Sequence, residues 1–371
     1  MTRRLEDLTS PYLSGLIPYV PGKPTEEVER ELGISGSVKL ASNENPLGPS
    51  PKALAALQAA LPELHRYPDG PGFRLCQALA RHWGVAADML VLGNGSNELL
   101  ELVGRAFLVP GDEVVYAEQA FVVYEMVAQT SGATRVRVPL KDFTHDLDGL
   151  RRAITPKTKL VFLANPNNPT GTAVPPQALE TFLADVPPEV VVVLDEAYYE
   201  YLPEGERPDA LRFVREGRWL LVLRTFSKIY GLAGLRLGYG MGPAPLTAIL
   251  HRLRAPFNTN ALAQAGAIAA LTDTEHVARS RAVNEAGRRL LTEGLARLGL
   301  RVVPNVANFV LVDVGRSGAA TSDALLRRGV IVRPVAGYGF PNHLRITIGT
   351  PEENTRCLAA LAALLGKENP G

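Results

Sequence analysis

The sequence predicts an α/β fold in which a large, doubly wound domain with a mostly parallel sheet is joined to a smaller α+β domain. Between about residues 43 and 256, apolar runs that end in polar or glycine-rich turns alternate with helical stretches. Several of these runs are apolar at consecutive positions, as parallel strands buried on both faces must be. The alternation of strands and helices is typical of a doubly wound domain. The runs lie at residues 89–92, 113–116, 159–164, 190–194 and 219–223.

The chain beyond residue 256 has a different pattern, which predicts the smaller domain. Helical patterns come first, and short strands around one further helix follow them. The helices are expected at residues 261–271, 276–300 and 320–328, and the strands at 301–303, 309–314, 330–332 and 344–348. We therefore predict a large domain over residues 41–260. Residues 1–40 and 261–371 are predicted to form the small domain and an N-terminal arm, which its prolines hold extended.

Composition and charge narrow the classes of function. The 371 residues are 46% hydrophobic and 21% charged, which is typical of a soluble globular protein. A formal net charge of +1 provides no cationic field for nucleic acid or anionic lipid, and no apolar run reaches the ~20 residues of a membrane helix. The two cysteines fit a reducing compartment, and the six histidines show no metal-binding spacing. We expect a cytoplasmic protein that acts on small molecules, without a metal, a membrane span or a nucleic-acid partner.

The segment that most strongly indicates chemistry is TFSKIYGLAGLRLG at residues 225–238, directly after a predicted strand. Lys228 would thus lie at the carboxyl end of a strand, where open α/β sheets bind their ligands. A lysine that is desolvated near another cation becomes nucleophilic because its pKa falls, and Arg236 supplies such a cation and a fork suited to phosphate. Taken alone, Lys228 is better explained as a solvated loop lysine.

A carboxylate closes the apolar strand predicted at residues 190–194. Burying Asp195 there is costly unless a cation faces it, and the protonated ring nitrogen of a cofactor is such a cation. Tyr198, three residues further on, is placed to reach the same ligand. The alternative is that Asp195 caps a helix and that Tyr198 belongs to the core.

Two loops supply further polar groups. In the sequence NPNNPTG at residues 165–171, two prolines make the loop rigid, so that an asparagine amide could be presented in a fixed place, although an ordinary turn would also explain this composition. The sequence GNGSNE at residues 93–98 precedes an apolar helix, so that backbone N–H groups near Ser96 and Asn97 are placed to bind an anion. Helix capping by these two side chains is the alternative, and the third glycine of a dinucleotide fingerprint is missing.

Two softer signals concern a planar ring and an anion. Phe121 and Tyr124 could stack on a planar ring, although core aromatics are the simpler explanation. Arg333 and Arg345 flank the glycine-rich loop at residues 336–341, and Arg345 lies within an apolar strand. An arginine in such a strand needs an anion, which is either an internal carboxylate or the carboxylate or phosphate of a substrate.

Together these groups match what pyridoxal 5′-phosphate requires. The phosphate needs the helix-end cradle and Arg236, and the ring nitrogen needs Asp195. The ring hydroxyl needs donors, such as an asparagine amide of the 165–171 loop, and the aldehyde needs Lys228. Each signal is weak alone, but their occurrence in one chain predicts this cofactor.

The same motifs resemble those of the fold-type-I aminotransferases of classes I and II. NNPTG, DEAY and SKxxGxxGxR follow each other here at residues 167–171, 195–198 and 227–236. A nearer resemblance is to the histidinol-phosphate aminotransferases, and it extends over residues 19–350. It is carried by SNENP at 42–46, RYPDG at 66–70 and the arginine-containing segment at 333–350.

The resemblance implies a role for each matching residue. Lys228 would hold the cofactor as an imine and then act on the substrate proton, while Asp195 and Tyr198 would bind the ring nitrogen and the ring hydroxyl. Further cofactor contacts are implied for Gly95, Ser96, Asn97, Phe121, Asn168, Ser227, Arg236 and, from the neighbouring subunit, Tyr67. Substrate contacts are implied for Tyr19, Asn45, Asn308, Arg333 and Arg345.

The implied function is amino transfer in histidine biosynthesis. L-histidinol phosphate and 2-oxoglutarate would be converted into imidazole acetol phosphate and L-glutamate by a ping-pong reaction in a homodimer. An aromatic or broad-specificity amino-acid aminotransferase, or an amino-acid-phosphate decarboxylase of the same fold, remains an alternative. A DNA-binding regulator and a nucleotide-binding enzyme are disfavoured, because the chain has no basic cluster and its glycine fingerprint is broken.

Overall fold

The computed structural model describes residues 5–18 and 22–367, which form two sheets and their covering helices. The strands in these ranges are β1 (Val38–Leu40), β2 (Leu90–Gly93), β3 (Glu113–Ala117), β4 (Thr134–Val138), β5 (Thr158–Ala164), β6 (Val191–Asp195), β7 (Leu220–Thr225), β8 (Gly238–Met241), β9 (Arg301–Val303), β10 (Phe309–Asp313), β11 (Val330–Pro334) and β12 (His343–Thr347). The α-helices are α1 (Thr25–Leu32), α2 (Pro51–Ala60), α3 (Phe73–Trp83), α4 (Gly95–Phe107), α5 (Val122–Thr130), α6 (Leu147–Arg152), α7 (Pro176–Asp185), α8 (Ala210–Arg215), α9 (Ala244–His251), α10 (Ala261–Leu271), α11 (Thr274–Arg297), α12 (Gly318–Leu326) and α13 (Pro351–Leu365).

The large sheet has seven strands in the order β2-β8-β7-β6-β5-β3-β4. Strand β8 runs antiparallel to its neighbours β2 and β7, and the remaining pairs are parallel. The predicted α/β fold is confirmed, and the five apolar runs form β2, β3, β5, β6 and β7. Because β5, β6 and β7 are parallel neighbours, the polar segments that follow them meet at one edge of the sheet.

The apolar sequence of β6 explains why helices cover both faces of this sheet. All five of its residues are buried, and the four apolar ones alternate between two hydrophobic cores. Val192 and Leu194 lie in the core that α3, α7, α8 and α10 cover. Val191 and Val193 lie in the core beneath α4, α5 and α9. The apolar run ends at Leu194, and the next residue, Asp195, is the last of the strand.

The small sheet has five strands in the order β1-β11-β12-β10-β9, with helices α11 and α13 packed against its core. Its edge strand β1 is parallel to β11 and comes from the region in which we predicted only an arm. The predicted boundary at residue 261 is wrong by one helix. Helix α10 belongs to the large domain, because Ala263, Ala267 and Ala270 are buried in that domain's core. In the described ranges, no helix is long and apolar enough to cross a membrane.

Candidate active site

A cavity of about 540 Å³ lies at the edge where β5, β6 and β7 end. The N-terminal turn of α4 and the small-domain strand β12 also contribute to its walls. It therefore collects groups from both domains at the edge where parallel sheets bind ligands. The predicted site residues that line it are Ser96, Asn97, Phe121, Asn168, Asp195, Tyr198, Ser227, Lys228, Arg236 and Arg345.

Lys228 lies in the turn that follows β7, and its amine points into the cavity. Its Nζ donates a hydrogen bond to the Ser42 carbonyl oxygen at 3.2 Å and lies 5.7 Å from the centre of the Tyr198 ring. Burial, together with the positive charges of Arg345 and Arg236, lowers the pKa of Lys228 to about 8. The amine is therefore far more often neutral, and so nucleophilic, than an exposed lysine is.

Asp195 ends β6 and is 6% exposed. Its carboxylate accepts hydrogen bonds from the Tyr124 hydroxyl at 2.9 Å and from the Ala197 N–H at 3.1 Å. Burial raises the pKa of Asp195, and these two hydrogen bonds act in the opposite direction. Both donors are neutral, so the carboxylate can still pair with a cation in the cavity. The proposed helix cap is not formed, because a short 3₁₀ turn follows this segment and its N-cap has no side-chain hydrogen bond.

Tyr198 and Asn168 are held so that each still has a hydrogen to donate. The Asn43 amide donates to the Tyr198 oxygen at 2.9 Å, which leaves the Tyr198 hydrogen available. Burial raises the pKa of Tyr198 to about 12, so the phenol stays protonated. The Asn168 oxygen accepts from Arg345 at 2.5 Å, which leaves the Asn168 amide hydrogens as donors.

Arg345 lies in β12 and is 5% exposed. Its two hydrogen-bond acceptors, the Asn168 side chain and the Ala41 carbonyl oxygen at 2.8 Å, are both neutral. Its Nε is buried and has no hydrogen-bond partner in the described part of the chain. The internal carboxylate that we considered is therefore absent among these residues. A buried guanidinium with only neutral acceptors favours an anionic ligand.

The N-terminus of α4 forms a cradle for an anion. The helix begins at Gly95, and its N-cap, Asn94, makes no capping hydrogen bond with its side chain. Because Ser96 lies inside the first turn, the capping alternative is wrong and the first N–H groups stay available. A Cβ at Gly95 would lie 2.6 Å from an Arg236 nitrogen, so only glycine lets this guanidinium approach the helix end.

The opposite side of the cradle is also built for close approach. Arg236 donates to the Ser227 hydroxyl oxygen at 3.3 Å, which places both side chains next to the α4 terminus. A Cβ at Gly238 would lie 2.4 Å from the Ser96 nitrogen, so this position also requires glycine. The cradle thus combines backbone N–H donors, a hydroxyl and a guanidinium, which is a donor set that suits a phosphate.

Several predicted site residues lie away from the cavity walls. The Asn45 amide donates to the Ile229 carbonyl oxygen and to Ser280, so its donors hold the chain beside Lys228, and its substrate contact stays a prediction. Asn308 donates to the Asn43 carbonyl oxygen and so helps to hold Asn43 in place beside the cavity. Tyr19 lies outside the described residues.

Arg333 and Tyr67 also do not line the cavity in a single chain. Arg333 lies directly opposite Arg345 in the antiparallel pair of β11 and β12, so both arginines point to the same side of the small sheet. Tyr67 is 82% exposed and stacks on Phe257, with the ring centres 4.6 Å apart. Its predicted role depends on a second subunit.

Two site residues were missed at the sequence level. We considered Tyr124 as a ring-stacking residue, but it is buried, stacks on Phe162 and donates to Asp195. Phe121 lies edge-on to Tyr124 at the cavity wall, where its ring can face a ligand. Asn43 belongs to the SNENP motif, in which we chose Asn45 instead. No sequence signal distinguishes these two asparagines.

The donors present fit pyridoxal 5′-phosphate group by group. The cradle suits its phosphate, the Asp195 carboxylate suits a protonated ring nitrogen, and the low pKa of Lys228 suits its aldehyde. Tyr198 and Asn168 each keep a hydrogen that a ring hydroxyl could accept. Among the described residues, no group of three or more His, Cys, Asp or Glu side chains could hold a metal ion.

Comparisons with known proteins agree with this geometry. Residues 35–361 match the family model for aminotransferase class I and II. The chain is 55% identical over 361 residues to histidinol-phosphate aminotransferase 2 of Ralstonia nicotianae, which covers 96% of both proteins. It is 54% identical over 361 residues to the histidinol-phosphate aminotransferase of Anaeromyxobacter sp., with 97% of this chain and 99% of the relative covered.

Solved structures give the same result. A histidinol-phosphate aminotransferase from Sinorhizobium meliloti, in complex with pyridoxal-5′-phosphate, superposes with a TM-score of 0.89 and 31% identity over 96% of this chain and 97% of the other. An aspartate aminotransferase from Thermus thermophilus with maleate gives a TM-score of 0.83 and 27% identity over 96% and 99%.

Proposed function

The chain belongs to the class I and II aminotransferases, and we propose that it uses pyridoxal 5′-phosphate to transfer the amino group of L-histidinol phosphate to 2-oxoglutarate. The products are imidazole acetol phosphate and L-glutamate, and the reaction serves histidine biosynthesis. The observation that carries the proposal is the buried Arg345 guanidinium, which has only neutral acceptors and shares a cavity with Lys228 and Asp195. The identity of 55% to a histidinol-phosphate aminotransferase supports the choice of substrate.

Bound pyridoxal phosphate supplies an electron-withdrawing ring that accepts the electron pair left when the donor loses its Cα proton. The α4 cradle, Ser227 and Arg236 would hold the phosphate of this group, and Asp195 would hold its ring nitrogen. Tyr198 and Asn168 would donate to the ring hydroxyl. Phe121 would cover one face of the ring.

Lys228 moves the proton. With a pKa of about 8, its Nζ is neutral in about a tenth of molecules at pH 7. The neutral amine accepts the proton from the donor Cα, and the Ser42 carbonyl oxygen orients it. The amine does not keep this proton: in the first half-reaction it would deliver it to the cofactor carbon that carried the aldehyde, and in the second it would take a proton from that carbon and give it to the Cα of the amino-acid product.

Arg345 lets one pocket accept two kinds of anion. The planar fork of a guanidinium binds a phosphate or a carboxylate with two parallel hydrogen bonds. The first half-reaction presents the phosphate of L-histidinol phosphate, and the second presents a carboxylate of 2-oxoglutarate. Arg333, opposite Arg345 in the small sheet, adds positive charge on the same side.

The proposal is tested by mixing the purified protein with pyridoxal phosphate and candidate donors while following the visible absorption of the cofactor. We expect fast conversion with L-histidinol phosphate and slow conversion with phenylalanine, tyrosine or threonine phosphate. Faster conversion of the aromatic amino acids would favour an aromatic aminotransferase. Release of carbon dioxide from threonine phosphate would favour a decarboxylase. Borohydride reduction followed by peptide mapping should place the cofactor on Lys228, and an unlabelled protein would refute the proposal.

We further propose that the enzyme is a cytoplasmic homodimer in which Tyr67 reaches the cofactor phosphate of the neighbouring subunit. Its support is the exposed stack of Tyr67 on Phe257 and the exposed apolar side chains in the same stretch of the sequence. These side chains belong to Leu54, Leu61, Leu64 and Phe73. Large exposed apolar patches mark interaction sites. The two cysteines, which are free and buried, are compatible with a reducing compartment.

Mixing two inactive variants tests the shared site. A dimer with Lys228→Ala in one subunit and Tyr67→Ala in the other has one intact site, so activity should return on mixing. Light scattering reports whether dimers form. If mixed dimers form and stay as inactive as their parents, the assignment of Tyr67 is wrong.

A further inference from the structure

A buried ion pair lies directly behind the catalytic groups. Arg224 in β7 is 2% exposed, and its Nε and Nη2 both donate to one oxygen of Glu196, at 2.9 and 2.6 Å. Glu196 follows Asp195 in the chain and is fully buried. Arg224 precedes Lys228 by four residues. The pair therefore joins the ends of the two strands that carry the ring-nitrogen partner and the reactive amine.

Two aromatic rings enclose the same guanidinium. Its central carbon lies 3.4 Å from the ring centre of Tyr199 and 3.8 Å from that of Trp83. Trp83 is fixed in turn, because its indole N–H donates to the Tyr239 hydroxyl at 2.9 Å. Stacking between arginine and aromatic rings restricts the guanidinium to one orientation.

The segment from Asp195 to Tyr199 is thus divided between two sides. Asp195 and Tyr198 face the cavity, whereas Glu196 and Tyr199 face away and contact Arg224. The Arg224 guanidinium therefore holds the segment at Glu196, next to Asp195, and at Tyr199, next to Tyr198.

Stability alone is a poor reason for this arrangement. A buried ion pair often adds little to stability, because desolvation offsets the attraction between the charges. Here Nη1 of Arg224 and the second oxygen of Glu196 are buried without hydrogen-bond partners in the described chain. We propose that Arg224 and Glu196 are positioning residues, which fix the placement of Asp195 and Tyr198 relative to Lys228. This inference rests on the proposed function, because placement is read out through the bound cofactor.

The test compares Glu196→Gln, which keeps the shape of the side chain and removes its charge, with Tyr199→Leu, a milder change that removes one stacking ring. The control is Val214→Ala, a cavity-forming change in α8 within the same core, at a position that is 0% exposed. Each protein is loaded with pyridoxal phosphate. The measurements are the visible circular dichroism of the cofactor per unit absorbance, which reports ring orientation, together with kcat, KM and thermal stability.

We expect both test variants to lose visible dichroism and about tenfold in kcat, with KM nearly unchanged. Val214→Ala should lose thermal stability and keep both properties. Parent-like dichroism and kcat in the folded test variants would refute the positioning role, as would equal losses in the control. If Glu196→Gln does not fold, Tyr199→Leu decides by the same criteria. A parent protein without any visible cofactor band would refute the proposed function as well, so the two failures are distinguishable.

Discussion

Removing a single oxygen atom tests how the protein keeps Asp195 ionised. Tyr124→Phe deletes the hydroxyl that donates to the Asp195 carboxylate at 2.9 Å. The ring itself should stay in place, because it is stacked on Phe162 with the ring centres 5.0 Å apart and the planes inclined by 10°. The change therefore removes one hydrogen bond and leaves the packing of the core intact.

The size of the effect follows from the charge of the acceptor. A hydrogen bond to a charged group contributes about 1.5–3 kcal/mol. Burial already raises the pKa of Asp195, and the Tyr124 hydrogen bond opposes this, so its loss raises the pKa further. The ionisation equilibrium should shift toward the protonated acid by a factor of roughly 10 to 150. The acid limb of the pH–rate profile should accordingly move up by about one to two pH units.

The assay is the pH dependence of the half-reaction with L-histidinol phosphate, with thermal unfolding as a check on the fold. The matched control is Tyr116→Phe, which removes another phenol–carboxylate hydrogen bond, to Glu125 at 2.5 Å, without contact to Asp195. We expect the control to keep the acid limb of the parent. If Tyr124→Phe is folded and its acid limb coincides with that of the control, Tyr124 does not hold Asp195 in its ionised form.

Three further predictions concern the cradle, the anion pocket and the amine. Gly238→Ala places a Cβ 2.4 Å from the Ser96 nitrogen and should weaken pyridoxal phosphate binding at least about tenfold in equilibrium dialysis. The control is Gly234→Ala, where a Cβ meets no atom within 4 Å, and it should bind like the parent. Arg345→Gln should lower kcat/KM of both half-reactions, because about 2–5 kcal/mol of binding energy to the substrate anion is lost. A loss in only one half-reaction would contradict dual recognition. The rate at which the cofactor-free protein captures pyridoxal phosphate should rise with pH through a midpoint near 8 and level off at higher pH, because Lys228 reacts as the neutral amine. Arg345→Gln removes a neighbouring positive charge and should move this midpoint to higher pH in stopped-flow absorbance measurements.

The central part of the fold could be predicted because its buried strands are recognisable from short apolar runs in the sequence. Strands β5, β6 and β7 are nearly continuous apolar runs, since helices cover both of their faces. A polar residue that ends such a run must lie at the sheet edge. This reasoning placed Asp195 and Lys228 correctly without knowledge of any contact.

Strands whose formation depends on their neighbours escaped prediction. Edge strand β4 is mostly exposed, so its sequence TRVRV carries a weak apolar signal. Strand β8 has the sequence GYGM, and its glycines disfavour a strand unless partners lie on both sides, as β2 and β7 do here. Strand β1 has three residues and exists through its pairing with β11.

The choice between Asn43 and Asn45 shows a different limit. The two residues are in the same motif and have the same side chain, so only backbone direction separates their roles. Asn43 adopts a φ of 54°, a left-handed conformation that asparagine tolerates better than most residues. This turns its amide toward Tyr198, while Asn45 faces Ile229 and Ser280. Such a turn is set by tertiary contacts that no short pattern contains.

The anion pocket depends on the register of the small sheet as much as on the identity of its arginine. Leu344 and Ile346, on either side of Arg345 in β12, are buried in the small-domain core. A shift of β12 by one residue would turn these leucine and isoleucine side chains toward the cavity and bury the guanidinium in that core. The hydrogen bonds from Arg345 to Ala41 and from the Asn43 N–H to Thr347 oppose such a shift, because they tie the chain after β1 to β12. The N-terminal region, in which the sequence showed no strand, therefore holds Arg345 in the register that the proposed reaction needs.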